Sequence, residues 1–378
     1  MPRLCYILPR YDPDSEEHFY HTYDFLRHLA REVDLCLIVE RSTGPVNVPG
    51  VRVVYVQRWV RPFRFLETLV AVVAARLRGW RTFFVHYSIA GAIGAGVVTR
   101  LAGGRCYYWH CGLVHLFFRS WSPSREALRA KFGVELPLRL ALRVAQTLVT
   151  GTPGMAKYYA RVFGVPLERI VVLPNEIDLA RFQAAPEPAA AKAALGVAHR
   201  EVVLFLHRLS PRKGAELLPE IVSLVTAARP QVLFLVVGDG PSRARVEESI
   251  VGAGLASNVR FTGWVPNRDV SRYYAAADLY IMPSLEEGFP RVLLEAMAMG
   301  TPFVAADVGG VREICAPAQQ RWLVPTGDAS RFAAAVVEAL ERPDLRALLA
   351  AAGRDRVRAF DLPVVARLFL TQILSREE

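Results

Sequence analysis

What this 378-residue chain lacks narrows it first. No apolar run reaches the ~18–20 residues needed to span a bilayer. The longest helical candidate, FLETLVAVVAARL at 65–77, is too short and carries Glu67. The opening MPRLCYILPR lacks the apolar core and small-residue cleavage site of a secretory signal. Cysteine is scarce: Cys5, Cys36, Cys106, Cys111 and Cys315 form no even-numbered framework and read as reduced thiols in a cytosolic chain. Cys106 and Cys111 have no partners at metal-ligand spacing. No glycine precedes Gly44, and G-x-G-x-x-G occurs nowhere, which removes the dinucleotide fingerprint. GDGP at 238–241 and DVGG at 307–310 are therefore read as tight turns. Asp12 and Asp14 in DPD imitate a metal-binding D-x-D but are also read as a turn. Only four of the 46 basic residues are lysine.

The charge that is present is uneven. Residues 1–180 hold 23 Lys and Arg against 14 Asp and Glu, whereas residues 181–378 hold 23 against 22. Seven arginines and one acid fall in 52–81 alone. A basic half points to an anionic partner or to a solvated arginine surface. No nucleic-acid motif organises these arginines.

Short apolar runs, β-branched on both faces, alternate with helical patterns. In the first half they lie at 4–9, 34–39, 52–56, 82–86, 106–110, 147–151 and 170–174. In the second they lie at 202–206, 232–237, 259–263, 279–283 and 302–307. Alternation of this kind predicts βαβ units and parallel sheets covered by helices on both faces. The Ala/Pro-rich stretch QAAPEPAAAKAAL after PNEIDLARF reads as a connector, with a boundary near 175–195. The expected architecture is α/β with two doubly wound Rossmann-like domains facing a cleft: an acceptor-side domain at 1–175, a ligand-binding domain at 176–355, and a final helix at 356–378 packing back on the first domain. Ligands of such sheets bind at the C-terminal strand edges.

Two stretches carry candidate chemistry. EEGFPRVLLEAMAMG, 286–300, predicts a helix of about ten residues, with Pro290 at its start and Gly300 just past its end. Its free N-terminal amides form an anion site. Glu295 interrupts an otherwise apolar helix, and a buried carboxylate needs donors, either vicinal sugar hydroxyls or an arginine of the fold. Glu287 waits in the preceding loop, about 8 Å or more from Glu295 at ~1.5 Å per residue. In VVLFLHRLSPRKG, Arg208 and Lys213 follow a strand end, where two cations suit a diphosphate; otherwise they belong to a polar turn.

HRLSPRKG, VVGDGP, VRFTGWVP, ERIVVLPNEIDLARF and AADLYIMPSLEEGFPRVLLEAMAMGTPFVAADVGG together resemble family-4 retaining glycosyltransferases, with Glu287 and Glu295 as the E-x7-E pair. The resemblance is close over 150–330 and looser before that. It implies a GT-B fold and a nucleotide-sugar donor. Arg208 and Lys213 would bind its diphosphate, Glu295 the ribose hydroxyls, and Trp264 and Val265 the base. Glu287, with the backbone amides of Gly288, Phe289 and Arg291, would meet the donor sugar and phosphate. His110, in CYYWHCG, matches the strand-end histidine beside the transferred sugar, with a core-edge histidine as its bland alternative. No metal and no cofactor are implied, since side chains stabilise the leaving diphosphate. The chain departs from the family in its glycine-free first loop, where Ser15, His18 and His21 serve either acceptor contact or no role, and in Asn175-Glu176, which stands where Asn-Gly is usual.

The stretches 57–84 and 113–133 combine arginine, aromatics and apolar residues, which fits interfacial membrane binding. The expected protein is thus cytoplasmic or peripheral on the inner face of the membrane, and its acceptor a lipid-linked or cell-envelope glycan. A nucleotide-sugar epimerase of the same architecture and a non-catalytic polyanion-binding module are the competing expectations.

Overall fold

A computed structural model describes residues 1–12, 20–51, 53–58, 63–112 and 131–374. Ser15, His18, Asp14, residues 59–62 and most of the 113–133 stretch lie outside the described residues. The chain divides into two compact units. One comprises Met1–Glu176 with Leu362–Glu378, the other Ile177–Asp361.

The first unit is built on seven parallel strands: β1 (Arg3–Leu8), β2 (Asp34–Val39), β3 (Val53–Val56), β4 (Thr82–His86), β5 (Arg105–Trp109), β6 (Thr147–Thr150) and β7 (Ile170–Val172). Their order in the sheet is β3-β2-β1-β4-β5-β6-β7. The second unit holds β8 (Glu201–Leu206), β9 (Val232–Val237), β10 (Val259–Gly263), β11 (Leu279–Met282), β12 (Phe303–Ala306) and the two-residue β13 (Leu323–Val324). Their order is β10-β9-β8-β11-β12-β13, again all parallel.

The reason for this layering is visible in burial. All six residues of β9, VLFLVV, are buried, and in β1 and β8 only the first residue is not. Such strands have no solvated face, so helices must cover both sides. Edge strands relax the rule: every residue of β3 is only partly buried, and β10 contains an exposed arginine. The second unit's core gathers Phe205, Phe234, Ile281, Val304 and Trp322 between the sheet and the helix Ala329–Glu341.

The terminal helix Leu362–Phe369 belongs to the first unit, where Phe369 packs edge-on against Phe25 and Phe84. The switch to that unit falls six residues later than position 356. The helix Pro343–Val357 and the turn through Phe360 stay with the second unit, and Arg356 there donates to the carbonyls of Ile314 and Glu313.

In each sheet the strand order reverses beside the first strand of the unit, between β1 and β4 and between β8 and β11. The crevice above such a reversal is where ligands of doubly wound sheets sit, because flanking loops turn away in opposite directions there. Among the described residues, no helix is long and apolar enough to cross a membrane.

Candidate functional site

The reversal in the second unit brings together the two stretches singled out in the sequence. The loop after β8 carries His207, Arg208 and Lys213; the loop after β11 carries Ser284, Glu286 and Glu287. The loops are stitched together by the backbone amides of Leu285 and Glu286, which donate to the Arg212 carbonyl at 2.9 and 3.2 Å. Gly214 makes the approach possible. It adopts φ +68°, and a Cβ there would lie 2.0 Å from the Pro283 carbonyl oxygen. Gly309 of the DVGG turn does the same on the other side, with φ +57° and a Cβ position 1.7 Å from the Glu287 carbonyl oxygen.

Glu287 is the hub. Its Oε1 accepts from Lys213 Nζ at 2.8 Å and Ser284 Oγ at 2.9 Å, and His207 Nε2 lies 3.5 Å away. Burial on its own would raise the carboxyl pKa. Lys213 and His207 outweigh that and hold it at about 2, so the group is an anion at any physiological pH. Next to it Glu286 is buried against Arg212, 3.3 Å between Nε and Oε2. Here burial wins: the carboxyl pKa is raised in spite of Arg212 and Lys213.

Glu295 is buried in the helix Arg291–Met299 and accepts from the Tyr274 hydroxyl at 3.2 Å. The same hydroxyl lies 3.1 Å from the Val292 carbonyl. Buried Tyr280, at the centre of β11, has its phenol pKa pushed up by burial and then by Glu287 and Glu295. One phenol thus feels both acids. The helix starts at Arg291 with Pro290 as its N-cap, one residue later than the sequence pattern put it, and no side chain caps its amides. Gly300 ends it in the left-handed conformation. Phe289 turns its ring into the fold, edge-on to Phe360, so it offers a ligand only its backbone.

Arg208 is exposed, and its guanidinium makes no ion pair or hydrogen bond among the described residues. Trp264, half exposed, and Val265 follow β10, two strands from β8. At ~4.8 Å per strand this is about 10 Å along the same edge. The amide of Gly238, after β9, donates to the Gly263 carbonyl at 2.8 Å and ties these loops together.

The remaining predicted residue, His110, lies in the first unit. It follows β5, and its amide donates to the Val149 carbonyl at 2.9 Å. Its Nδ1 is hydrogen-bonded to the fully buried Tyr159 hydroxyl, which also meets the Gly112 amide and carbonyl at 3.3 and 3.2 Å. His21 sits in the first turn of the helix Tyr20–Leu29. Asp12 is structural, bonded to Arg10 and Thr43, while its amide donates to the Tyr23 hydroxyl. The partners that sequence reasoning missed are His207, Ser284, Glu286 and Tyr274.

Comparison with known proteins gives this geometry a context. Residues 190–356, nearly the whole second unit, match the family described as glycosyl transferases group 1. The chain is 33% identical over 318 residues to a 2-deoxystreptamine N-acetyl-D-glucosaminyltransferase of Streptomyces fradiae, an alignment covering 80% of this chain and 73% of that protein. Its fold is similar to that of sucrose-phosphate synthase from Thermosynechococcus elongatus, with TM-score 0.80, 24% identity, and 100% and 99% of the two chains covered. It is also similar to that of Anabaena Alr3699/HepE, solved in complex with UDP-glucose, with TM-score 0.77, 20% identity, and 99% and 100% covered.

Proposed function

The chain belongs to the group 1 glycosyl transferases, and from that premise we propose that it transfers a hexose from a nucleoside-diphosphate sugar to an acceptor hydroxyl with retention of anomeric configuration. The observation that carries the reading is the meeting of Lys213 and Glu287, with Arg208 exposed beside them, above the β8/β11 reversal. Breaking the anomeric C–O bond moves negative charge onto the departing diphosphate. Arg208, Lys213 and the N-terminal end of the helix Arg291–Met299, with the backbone amides of Gly288, Phe289 and Arg291, stabilise that charge as it develops. Glu295 takes the ribose hydroxyls, and Trp264 with Val265 takes the base. Glu287, fixed as an anion, accepts hydroxyls of the transferred sugar. His110 keeps, by the resemblance, the proposed role of the histidine that contacts the transferred sugar. The finer assignment to family 4, with Glu287 and Glu295 as its signature pair, is part of the proposal. The departing phosphate accepts the acceptor's proton on the same face, so Glu287 is not a nucleophile. The side-chain cations stand where other transferases use a metal ion, so EDTA leaves the rate unchanged.

For the acceptor, the first unit supports a membrane-borne glycan. The helix Arg64–Leu77 leaves Phe65, Leu66, Val70, Val73 and Leu77 exposed, and Leu101 on the neighbouring helix Ile89–Ala102 is 83% exposed. Exposed Arg78, Arg81, Arg100 and Arg105 accompany them. Exposed apolar side chains with exposed arginines at the helices' C-terminal ends fit an anionic leaflet. The Streptomyces fradiae relative, named a 2-deoxystreptamine N-acetyl-D-glucosaminyltransferase, favours a second reading, a soluble polyol acceptor. Sedimentation with anionic liposomes separates them: binding at low salt supports the membrane-borne acceptor, and none supports the soluble one.

A thermal-shift panel of UDP-, GDP-, ADP- and dTDP-sugars identifies the donor by mass-action stabilisation. Full turnover in both Arg208→Ala and Glu287→Ala would overturn the proposal. It would return the polyanion-binding alternative, and donor conversion without acceptor would return the epimerase.

A further inference from the structure

Glu287 has three neighbours on one oxygen. Lys213, Ser284 and His207 all address Oε1, and no side-chain bond to Oε2 occurs among the described residues. Lys213 alone would neutralise the charge, so the histidine calls for a separate account. Its ring follows β8 directly, with the side chain 19% exposed. Nδ1 accepts from the backbone amide of Arg208 at 2.8 Å. An acceptor nitrogen carries a lone pair, so the ring proton sits on Nε2, the nitrogen that faces Glu287. Protonating the ring would set a new N–H against the Arg208 N–H. Burial and then Lys213 oppose it too, and the imidazole pKa falls to about 4. The ring is therefore a neutral donor of fixed direction, unlike the flexible ammonium of Lys213.

We propose that His207 is a positioning residue for the donor sugar: held as the Nε2–H tautomer by the Arg208 amide, it fixes the rotation of the Glu287 carboxylate so that Oε2 faces the sugar hydroxyls. The inference rests on the reading of Glu287 as the sugar-facing acid. It separates two contributions within one loop. Arg208 and Lys213 grip the diphosphate whatever is attached to it, whereas His207 acts only through Glu287 and thus only on the sugar.

The test compares wild type with His207→Phe, which keeps a flat ring without a donor, and His207→Gln, whose side-chain amide can reach Glu287. His207→Asn, too short to reach it, replaces His207→Phe should that variant not fold. Titration calorimetry uses UDP, GDP, ADP and dTDP and the glucose conjugate of each, and the base that binds wild type is carried forward. His207→Phe is expected to bind the bare diphosphate as wild type does and the conjugate ~10-fold more weakly, the loss of one hydrogen bond to a charged group. His207→Gln is expected to recover most of that loss. ¹⁵N spectra of histidine-labelled protein at pH 6 are expected to show the His207 signal, assigned by its disappearance in His207→Gln, as the neutral Nε2–H form. Equal effects on diphosphate and conjugate, no effect on either, or the Nδ1–H form would overturn the inference and leave the donor reading standing. Failure of wild type to bind any of the eight compounds would overturn the donor reading and this inference with it.

Discussion

Replacing Lys213 by Met isolates the pair at the centre of the site. The ammonium and Glu287 Oε1 are 2.8 Å apart, with side chains 17% and 6% exposed. Removing one partner of a buried pair leaves the other charge with its desolvation uncompensated, a loss of about 3–5 kcal/mol. Glu287 keeps Ser284 and His207, so the lower end applies, about 3 kcal/mol. For a unit of this size, that lowers the melting temperature by roughly 6–12 °C. Calorimetry of wild type, Lys213→Met, Glu287→Gln and the double variant closes a cycle. Once Lys213 is gone, converting Glu287 to the neutral amide removes the stranded charge, so the double variant regains stability relative to Lys213→Met. The expected coupling is on the order of 2 kcal/mol. Additivity within about 0.5 kcal/mol would mean that the two groups do not stabilise one another, and the hub would not exist in solution.

The same site sets three further expectations. Below pH 6.5 an unfolded chain protonates His207, while the folded chain resists down to about 4; its contribution is full above 6.5 and falls as pH drops, by about 1.4 kcal/mol per unit. The unfolding free energy of wild type minus that of His207→Gln should therefore fall steadily from pH 6.5 to 4; a flat difference refutes the burial of a neutral ring. Arg208→Ala should lower kcat/KM by ~10²–10³-fold without shifting the melting temperature, since the guanidinium is exposed and makes no bond among the described residues. Trp264→Ala should weaken donor binding by ~10-fold through lost base stacking, measured by calorimetry, with turnover at saturation unchanged.

How far sequence reasoning reached follows from what is local. The interior strands were legible because both-face burial leaves an unbroken apolar run, as in VLFLVV, and the edge strands β3 and β10 through their β-branched and aromatic residues. β13 escaped because two residues, Leu323 and Val324, carry no period. The reversal point could not be read at all, since strand order is set by packing between segments far apart in the chain. Glu295 stood out as an acid in an apolar helix, but its donor Tyr274 lies 21 residues earlier on another helix. His207 stands beside Arg208 in the sequence, where no local pattern distinguishes it. Its role depends on Glu287 in the β11 loop, 80 residues away, which Gly214 and Gly309 let come close. Of DPD only Asp12 lies among the described residues, and its carboxylate is bonded to Arg10 and Thr43.

The most direct measurement is a crystal structure of the chain with the tightest-binding nucleoside diphosphate. The account predicts the diphosphate within hydrogen-bonding distance of Arg208 and Lys213, the ribose hydroxyls on Glu295 and the base against Trp264. A nucleotide bound elsewhere, or bound at the β8/β11 edge with neither cation in contact, would contradict it.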